Sequence, residues 1–413
     1  MGSNQPKTAR DPGPRVSVIM AFHNGATYLR DAILSILAQT HENLELILSD
    51  DGSTDCSLAI ARDAAAQDDR VCVLNNPVRS GPAAARNRAL SVASGDWVAI
   101  VDADDLIHPA RIERMLLQAD RLKADLLADD LIYFGAESGR SLLRPLALSS
   151  PWFPEAADIL AAETRIDPVA LGYLKPIIRR DVLGTTRYRQ TLQVGEDFDL
   201  LLRLVLAGAR FAVIPHAYYL YRRHAQSISH RLSEDAARQM VVGLTTIETE
   251  WPDLTAEIRN MLRRRRDALE KAARFAALSS ALKARKFGAA LGYLMRHPAL
   301  AVALVGAMRE HSARPTPISP IDGQTLTLGA DTGASIELSG TIASVPSHAA
   351  IAIAKSANTG SANIRAVGLA GLEALGYVPG WAMAELTPPK TGWSAADAAR
   401  IKRLPWPTKT TVS

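Results

Sequence analysis

Short apolar runs alternate with helical periods over the first hundred residues. Four apolar runs bounded by polar or turn residues predict strands, at residues 16–20, 44–48, 71–74 and 97–101. Three segments between them have a helical period or an Ala-rich composition, at residues 29–37, 57–66 and 81–93. Strands that alternate with helices at this spacing predict βαβ units and a parallel sheet, which is an α/β fold.

Beyond this region the pattern changes twice. Mixed strand and helix signals occupy the stretch up to residue 230, at residues 126–134, 173–178, 198–206 and 210–215. Residues 233–312 are predicted to be helical throughout, and the last part of the chain has a possible hairpin at 325–345 and a helix near 362–375. The predicted units are a disordered N-terminus (1–14), an α/β domain (15–230), a helical region (231–312), a Pro-rich linker (313–323) and an extension of unassigned role (324–413).

Polar turns follow three of the predicted strands at the point where each strand ends. These turns contain His23 and Asn24, then Asp50 and Asp51, and then Asp102 and Asp104. In open α/β sheets, ligands bind beyond the carboxyl ends of the strands. We therefore expect the three turns to share one rim and to bind a ligand there.

The third turn carries the most specific chemistry. Asp102 and Asp104 are one small residue apart, so both carboxylates can face one point, as suits Mg²⁺ or Mn²⁺ held together with a diphosphate. The alternative is that Asp side chains here cap a helix, a role that suits Asp105. An Asx turn is the corresponding alternative for Asp50 and Asp51.

Composition narrows the class of protein. The 413 residues are 47% hydrophobic with a formal net charge of +4, which fits a sizeable core and anionic substrates. Cys56 and Cys72 are the only cysteines, so a disulfide scaffold and a four-thiolate zinc site are excluded. The first residues lack the apolar core of a signal peptide, and the longest apolar run, 299–308, is too short to span a bilayer. These features predict a cytoplasmic protein.

The predicted helical region is basic and amphipathic. It contains an arginine run at 263–266, and residues 282–309 combine an apolar face with lysines and arginines. This composition is typical of a helix that lies on the inner membrane surface. The alternative is that the face packs against the neighbouring domain.

Four ordered segments closely resemble the nucleotide-sugar domain of family 2 glycosyltransferases. They are Val-Ser-Val-Ile-Met-Ala-Phe-His-Asn-Gly (16–25), Ser-Asp-Asp-Gly-Ser-Thr-Asp (49–55), Ala-Arg-Asn-Arg-Ala (85–89) and Val-Asp-Ala-Asp-Asp (101–105). The resemblance covers about residues 15–230. It implies a GT-A fold, which is Rossmann-like with a mixed central sheet, and an inverting transfer of sugar from a nucleotide sugar, in many members to exopolysaccharide or another surface glycan.

The resemblance also implies roles for donor-binding residues. Phe22, His23 and Asn24 would pack on the base, where the family usually has a Tyr, and Asp51, with Asp50 beside it, would accept a hydrogen bond from the base. Arg86 and Asn87 would lie near the ribose or the phosphates, although arginines here could equally be solvated. Asp102 would contact the ribose or the metal, and Asp104 would be the direct ligand of Mn²⁺ or Mg²⁺.

The segment Gly195-Glu-Asp-Phe-Asp199 resembles the Glu-Asp motif of the family. The resemblance implies that Asp197 is the general base, whereas Glu196 orients the loop or touches the acceptor. Helix capping is the alternative role for this pair. Arg223 and His224 resemble a later motif that reaches the diphosphate, and a surface loop is the alternative there.

The chain lacks the Gln-x-x-Arg-Trp motif of processive family members, which favours the addition of a single sugar. The expected acceptor is a glycan or a lipid-linked saccharide, with no nucleic-acid partner. A nucleotidyltransferase and an inactive sugar-nucleotide or glycan-binding module are the competing hypotheses. A Rossmann dehydrogenase is disfavoured because no Gly-x-Gly-x-x-Gly follows the first strand.

Overall fold

The structure is a computed structural model that describes residues 13–135, 141–162, 169–223, 232–302 and 304, together with two strands near residue 330. Eight strands form the main sheet: β1 (Val16–Phe22), β2 (Leu44–Asp50), β3 (Val71–Leu74), β4 (Trp97–Ile100), β5 (Leu106–Ile107), β6 (Leu126–Gly135), β7 (Ile177–Arg179) and β8 (Phe211–Arg223). The helices are α1 (Leu29–Leu37), α2 (Ser57–Gln67), α3 (Pro82–Val92), α4 (Arg111–Leu122), α5 (Ala156–Ala162), α6 (Arg180–Leu183), α7 (Glu196–Leu206), α8 (Glu234–Glu250), α9 (Ala256–Lys283) and α10 (Phe287–Arg296).

The first four strands form the parallel half of the sheet, in the order β3-β2-β1-β4. Strands β1 and β2 are buried on both faces, as expected for a parallel sheet covered by helices on each side. The βαβ prediction is thus confirmed in this half. The carboxyl ends of β1, β2 and β4 lie at one edge of the sheet, which brings the three predicted polar turns together.

The other half makes the sheet mixed. Strand β7 runs antiparallel between β4 and β6, and β6 pairs with β8 in parallel before the two-residue strand β5 closes the edge. The α/β fold with a mixed central sheet, expected from the resemblance, is therefore confirmed. Strand β8 is much longer than the predicted 210–215, and β7 begins later than the predicted 173–178.

The helical region continues the core of the sheet. Leu244 and Ile247 of α8 and Leu262 and Leu269 of α9 belong to the same buried cluster as the strand residues. The predicted boundary near residue 230 therefore stays a prediction, since apolar packing crosses it. Beyond it, β9 (Gln324–Leu328) and β10 (Ala334–Leu338) form an antiparallel pair, as the hairpin prediction expected. The helix expected near 362–375 lies outside the described residues.

Helix α10 packs only one of its faces. Ala290 and Leu294 pack with Leu278 and other residues of α9, whereas Phe287, Leu291 and Met295 on the adjacent face are 60–76% exposed. The described helices include none that is both long and apolar enough to cross a bilayer.

Candidate active site

A cavity of about 430 Å³ opens at the rim where β1, β2 and β4 end, and the start of α7 forms its opposite wall. Nine of the predicted site residues border it: Phe22, His23, Asn24, Asp51, Arg86, Asp102, Asp104, Glu196 and Asp197. The structure places Asp50, Asn87 and Arg223 outside its lining. His224 lies outside the described residues.

The turn after β1 is tied to the turn after β2. The His23 imidazole donates from Nδ1 to the Asp51 carbonyl oxygen at 2.9 Å, because a carbonyl oxygen can only accept. The Asn24 Oδ1 accepts from the Thr54 N–H at 2.8 Å, and Asn24 has the left-handed backbone (φ 50°) that Asn tolerates better than most residues. The His23 ring is therefore fixed at the cavity wall.

The two aspartates after β2 have different surroundings. Asp50 accepts from the Ser53 N–H at 3.1 Å, a local contact three residues along the turn rather than the two of an Asx turn. Asp51 accepts from the N–H groups of Ser80 and Gly81, one on each carboxylate oxygen and both at 2.8 Å. Asp51 thus holds the segment before α3, and its carboxylate also borders the cavity.

Helix α3 brings a buried arginine into the cavity. Arg86 donates to Asp102 Oδ1 at 2.8 Å and to Glu196 Oε1 at 2.6 Å, and it lies 3.5 Å from Asp197 Oδ1. The neighbouring Asn87 instead exchanges two hydrogen bonds with the backbone of Tyr188, which holds the segment before α7. Arg86 therefore joins the rim of the sheet to the first turn of α7.

A lysine that the sequence analysis did not single out completes this network. Lys175 Nζ lies 2.8 Å from Asp102 Oδ2 and 2.7 Å from Asp197 Oδ2, and its side chain is buried. Burial alone would lower the pKa of Lys175, but the Asp102 and Asp197 carboxylates outweigh it and hold this pKa well above its usual range. Likewise, burial would raise the pKa of Asp102, but Lys175 and Arg86 hold it well below its usual range. Lys175 and Asp102 are therefore both charged at neutral pH.

The first turn of α7 concentrates negative charge. Burial, and then the neighbouring Asp197 carboxylate, raise the pKa of Glu196, which Arg86 only partly opposes. Helix α7 begins after Gly195, whose backbone is left-handed (φ 81°) and whose missing Cβ would lie 2.8 Å from the Met240 side chain. Asp197 Oδ1 is buried and accepts no hydrogen bond from the residues that the structure describes.

The turn after β4 is braced from β8. Tyr219 donates from its hydroxyl to Asp105 Oδ2 at 2.8 Å and accepts from the Asp102 N–H at 3.1 Å. Arg222 donates to the Asp104 carbonyl oxygen and, from its backbone, to Asp105. Asp105 is thus a structural residue of this turn, which leaves the Asp104 side chain at the cavity.

A divalent cation fits this edge only together with a substrate. The described residues hold no cluster of three His, Cys, Asp or Glu side chains placed to bind a metal. Both oxygens of Asp102 pair with cations, Arg86 and Lys175, and Asp102 and Asp104 both border the cavity. Mg²⁺ commonly binds proteins through only one or two carboxylates and takes its other ligands from water and substrate phosphates. The hard oxygen donors at Asp102 and Asp104 suit such a site.

Part of the cavity wall is built by residues that the sequence analysis did not single out. Tyr173, Tyr221, Met240 and Arg265 line it, the last two from α8 and α9. The Arg265 guanidinium lies 3.9 Å from the centre of the Phe198 ring and is buried, although it belongs to the basic run 263–266. Arg223 is turned elsewhere, over the ring of Tyr133 at 4.7 Å.

Comparison with known proteins identifies the family. The family described as Glycosyl transferase family 2 matches residues 17–175. The succinoglycan biosynthesis protein ExoO of Rhizobium meliloti is 31% identical over 322 residues, which cover 74% of this chain and 89% of ExoO. The chain belongs to glycosyltransferase family 2.

A second relative and a solved structure match this chain over a similar share of its length. The succinoglycan biosynthesis protein ExoU of Rhizobium meliloti is 30% identical, over 71% of this chain and 86% of ExoU. The crystal structure of S. aureus TarS 1–349 with UDP-GlcNAc is similar at a TM-score of 0.48 and 18% identity, over 69% of this chain and 92% of that chain.

Membership of family 2 makes this protein a glycosyltransferase. The nucleotidyltransferase and dehydrogenase hypotheses are therefore set aside. The roles expected for individual residues of the cavity remain predictions, and the geometry described above is the basis for assigning them.

Proposed function

We propose that this family 2 glycosyltransferase moves one sugar from a nucleoside diphosphate sugar, with UDP as the nucleotide, to an acceptor hydroxyl with inversion at the anomeric carbon. The acceptor oxygen forms a bond to the anomeric carbon as the bond to the diphosphate oxygen breaks. The acceptor proton passes to a carboxylate, and the electron pair of the broken bond leaves with the diphosphate.

The observation that carries this proposal is the environment of Asp197. Its Oδ2 is held by Lys175, whereas its Oδ1 accepts no hydrogen bond from the described residues, lies 3.5 Å from the Arg86 guanidinium and is buried. The residue borders the cavity that Asp102 and Asp104 also line. An acceptor hydroxyl would supply the missing donor and would lose its proton to Asp197 as the general base. Glu196 would act on the same step by orienting Arg86.

The donor would bind at the three turns. His23 and Phe22 would pack against the base, and Asp51 would accept its N–H with lone pairs not used by Ser80 and Gly81. Asp104, with Asp102, would hold Mn²⁺ or Mg²⁺, which supplies positive charge to the leaving diphosphate when bound. Arg86 adds a permanent positive charge nearby, which also favours departure of the diphosphate.

The biological role we propose is the synthesis of an exopolysaccharide or another surface glycan. Support comes from the similarity to ExoO and ExoU, which are succinoglycan biosynthesis proteins. Single addition is favoured over polymerisation because the chain lacks Gln-x-x-Arg-Trp. The acceptor would be a growing glycan or a lipid-linked saccharide.

Donor binding and turnover test the proposal. Thermal shift is measured with UDP-glucose, UDP-galactose and UDP-N-acetylglucosamine, each with and without Mn²⁺, because a ligand of the native state raises the melting temperature. UDP release is then measured for the donor that binds. We expect Asp197→Asn to keep the thermal shift and to lose about 10²–10⁴-fold in turnover, the usual range for a general base. Asp104→Asn should abolish the Mn²⁺ dependence of binding.

Asp199→Asn is the matched control, because Asp199 lies in the same first turn of α7 but pairs with Arg189 and Arg203 away from the cavity. It should lower the melting temperature while the folded protein keeps its turnover. Equal losses of turnover in the two variants would indicate helix capping rather than base catalysis. A fully active Asp197→Asn would require a different base.

We also propose that α10 rests on an anionic membrane at the cytoplasmic side. Phe287, Leu291 and Met295 are exposed at successive i, i+4 positions, and no Asp or Glu occurs from Lys271 to Arg309. Exposed basic residues flank the apolar face: Lys283, Arg285, Lys286 and Arg296. Each Lys or Arg near an anionic surface contributes about 1 kcal/mol of attraction.

Vesicle flotation tests this contact. The protein is mixed with phosphatidylcholine vesicles that contain or lack phosphatidylglycerol, and we expect flotation only with the anionic lipid and less of it at high salt. Leu291→Ser should weaken flotation, whereas Val242→Ser, which removes a similarly exposed side chain from α8, should not. Equal flotation of both variants would contradict the proposal.

A further inference from the structure

Lys175 is held at both ends. Its carbonyl oxygen accepts a hydrogen bond from Arg111, which is itself fully buried against Asp129. Its Nζ bridges Asp102 Oδ2 and Asp197 Oδ2 at 2.8 and 2.7 Å. A lysine side chain with four rotatable bonds is thereby fixed in one position.

The topology of the sheet explains how Lys175 reaches these carboxylates. Strand β7 runs antiparallel to β4, with Ile177 opposite Ala99 and Ile178 opposite Val98. The start of β7 therefore lies beside the end of β4, and extending the register places Lys175 level with Val101, one residue before Asp102. A strand parallel to β4 would instead end at this rim, and its first residues would lie at the opposite edge.

Burying an ammonium group is unfavourable unless the group is paired with an opposite charge, so the burial of Lys175 beside the cavity requires an explanation. Lys175 is 5% exposed and borders the cavity, and the two carboxylates that it joins come from opposite walls of that cavity. One of them lies at the donor edge and the other at the first turn of α7. The lysine therefore fixes the separation of the two walls at the reaction site.

We propose that Lys175 is a positioning residue that holds Asp197 at the correct place relative to the bound donor. The inference rests on the proposed role of Asp197 as the base. Lys175 does not touch the reacting atoms, and it acts by holding the Asp197 carboxylate, through Oδ2, at a fixed distance from Asp102. Misplacement of a catalytic group by about 1 Å can lower a rate about 10²-fold, which sets the size of the expected effect.

The test replaces the ammonium with an apolar side chain of similar length, in Lys175→Met. We expect kcat for UDP release to fall about 10²-fold. KM for the UDP-sugar should change less than about threefold, because Arg86 still pairs with Asp102 and the proposed contacts of Phe22, His23 and Asp51 are untouched. In an Asp197→Asn background, Lys175→Met should cause little further loss, since there is no longer a base to position.

Arg179→Met is the matched control. Arg179 is the last residue of β7, the strand that Lys175 precedes by two residues, and it also bridges two carboxylates, those of Asp125 and Asp181. Its side chain is 44% exposed and lies away from the cavity. This variant should keep both kcat and KM. A general effect of removing a cation from this segment would appear in both variants, whereas loss of positioning appears only in Lys175→Met.

Hydrogen exchange separates this inference from the proposed function. Peptide amides at 192–200 should exchange faster in Lys175→Met than in the wild type or Arg179→Met, whether or not a donor has been found. Unchanged exchange there overturns the inference. If the wild type releases no UDP from any donor, the proposed function fails on its own. If the wild type is active, an unchanged kcat, or an equal loss in the Asp197→Asn background, overturns the positioning role.

Discussion

Removal of the buried guanidinium of Arg111 should be among the most damaging single changes in the α/β domain. Arg111 is fully buried, and its guanidinium lies 2.7 Å from Asp129 Oδ1 and 3.0 Å from Asp129 Oδ2. It also donates to the Lys175 carbonyl oxygen and lies 5.0 Å from the centre of the Tyr219 ring. Arg111→Met keeps much of the apolar volume and removes all of the charge.

The size of the loss follows from what remains. Asp129 is 1% exposed and would keep one hydrogen bond from the groups described here, donated by the Tyr218 N–H at 3.1 Å. Breaking a buried ion pair on one side costs about 3–5 kcal/mol, because the remaining charge is left in a medium of low dielectric constant. We therefore expect Arg111→Met to lower the free energy of unfolding by about this amount, measured by urea unfolding at pH 7.

A second variant tests the cause of the loss. Arg111→Met combined with Asp129→Leu removes both charges, and well-packed apolar replacements of a buried pair are often neutral. The Tyr218 N–H and the Lys175 carbonyl would still lose partners, at about 1–3 kcal/mol for each group left unsatisfied. The double variant should therefore be more stable than Arg111→Met. A loss below about 1 kcal/mol for the single variant, or no recovery in the double, would refute the electrostatic explanation.

Three further changes give independent outcomes. Burial raises the pKa of Asp130 to about 6, so the folded state keeps a proton that the unfolded chain has already released. The free energy of unfolding should therefore fall as pH rises from about 4 to 6. Asp130→Asn should remove this slope and add up to about 3 kcal/mol to the free energy of unfolding at pH 8, measured by urea titration. Gly95→Ala would put a Cβ 2.5 Å from the Ser17 backbone nitrogen in β1 and should lower the melting temperature by several degrees in calorimetry. An unchanged melting temperature would show that β1 and the segment before β4 can move apart. Tyr219→Phe removes a hydroxyl that donates to Asp105 and accepts from the Asp102 N–H, and it should cost about 1–3 kcal/mol in urea unfolding. An equally stable variant would mean that these two groups find other partners.

The parallel half of the sheet was predictable because its signal is local. Each apolar run is short, ends in a polar turn and is followed by a helical period, and parallel strands necessarily bring their carboxyl ends to one edge. The reversed direction of β7 was not predictable in this way. Strand direction depends on pairing with β4 and β6, which are distant in sequence, and no turn signal encodes it.

Two cavity residues illustrate signals that were present but not used. Lys175 is a lone cation within the otherwise apolar segment predicted at 173–178, a position where a charge must find a partner. Arg265 belongs to a basic run, which suggests solvent, yet it lies three residues after Leu262 and four before Leu269, both buried. The helical period alone places Arg265 on the inner face of α9.

The cavity is lined both by the turns of the sheet and by α8 and α9, so substitutions in the turns and substitutions in these helices affect different parts of it. The turns at β1, β2 and β4 fall within the family match at residues 17–175, whereas Met240 and Arg265 come from beyond it. With the donor at the three turns, as proposed, substitutions in these two helices are expected to reshape the cavity beside α7 and leave the donor contacts in place. Exchange of the helical segment between relatives is then expected to alter acceptor preference with an unchanged donor.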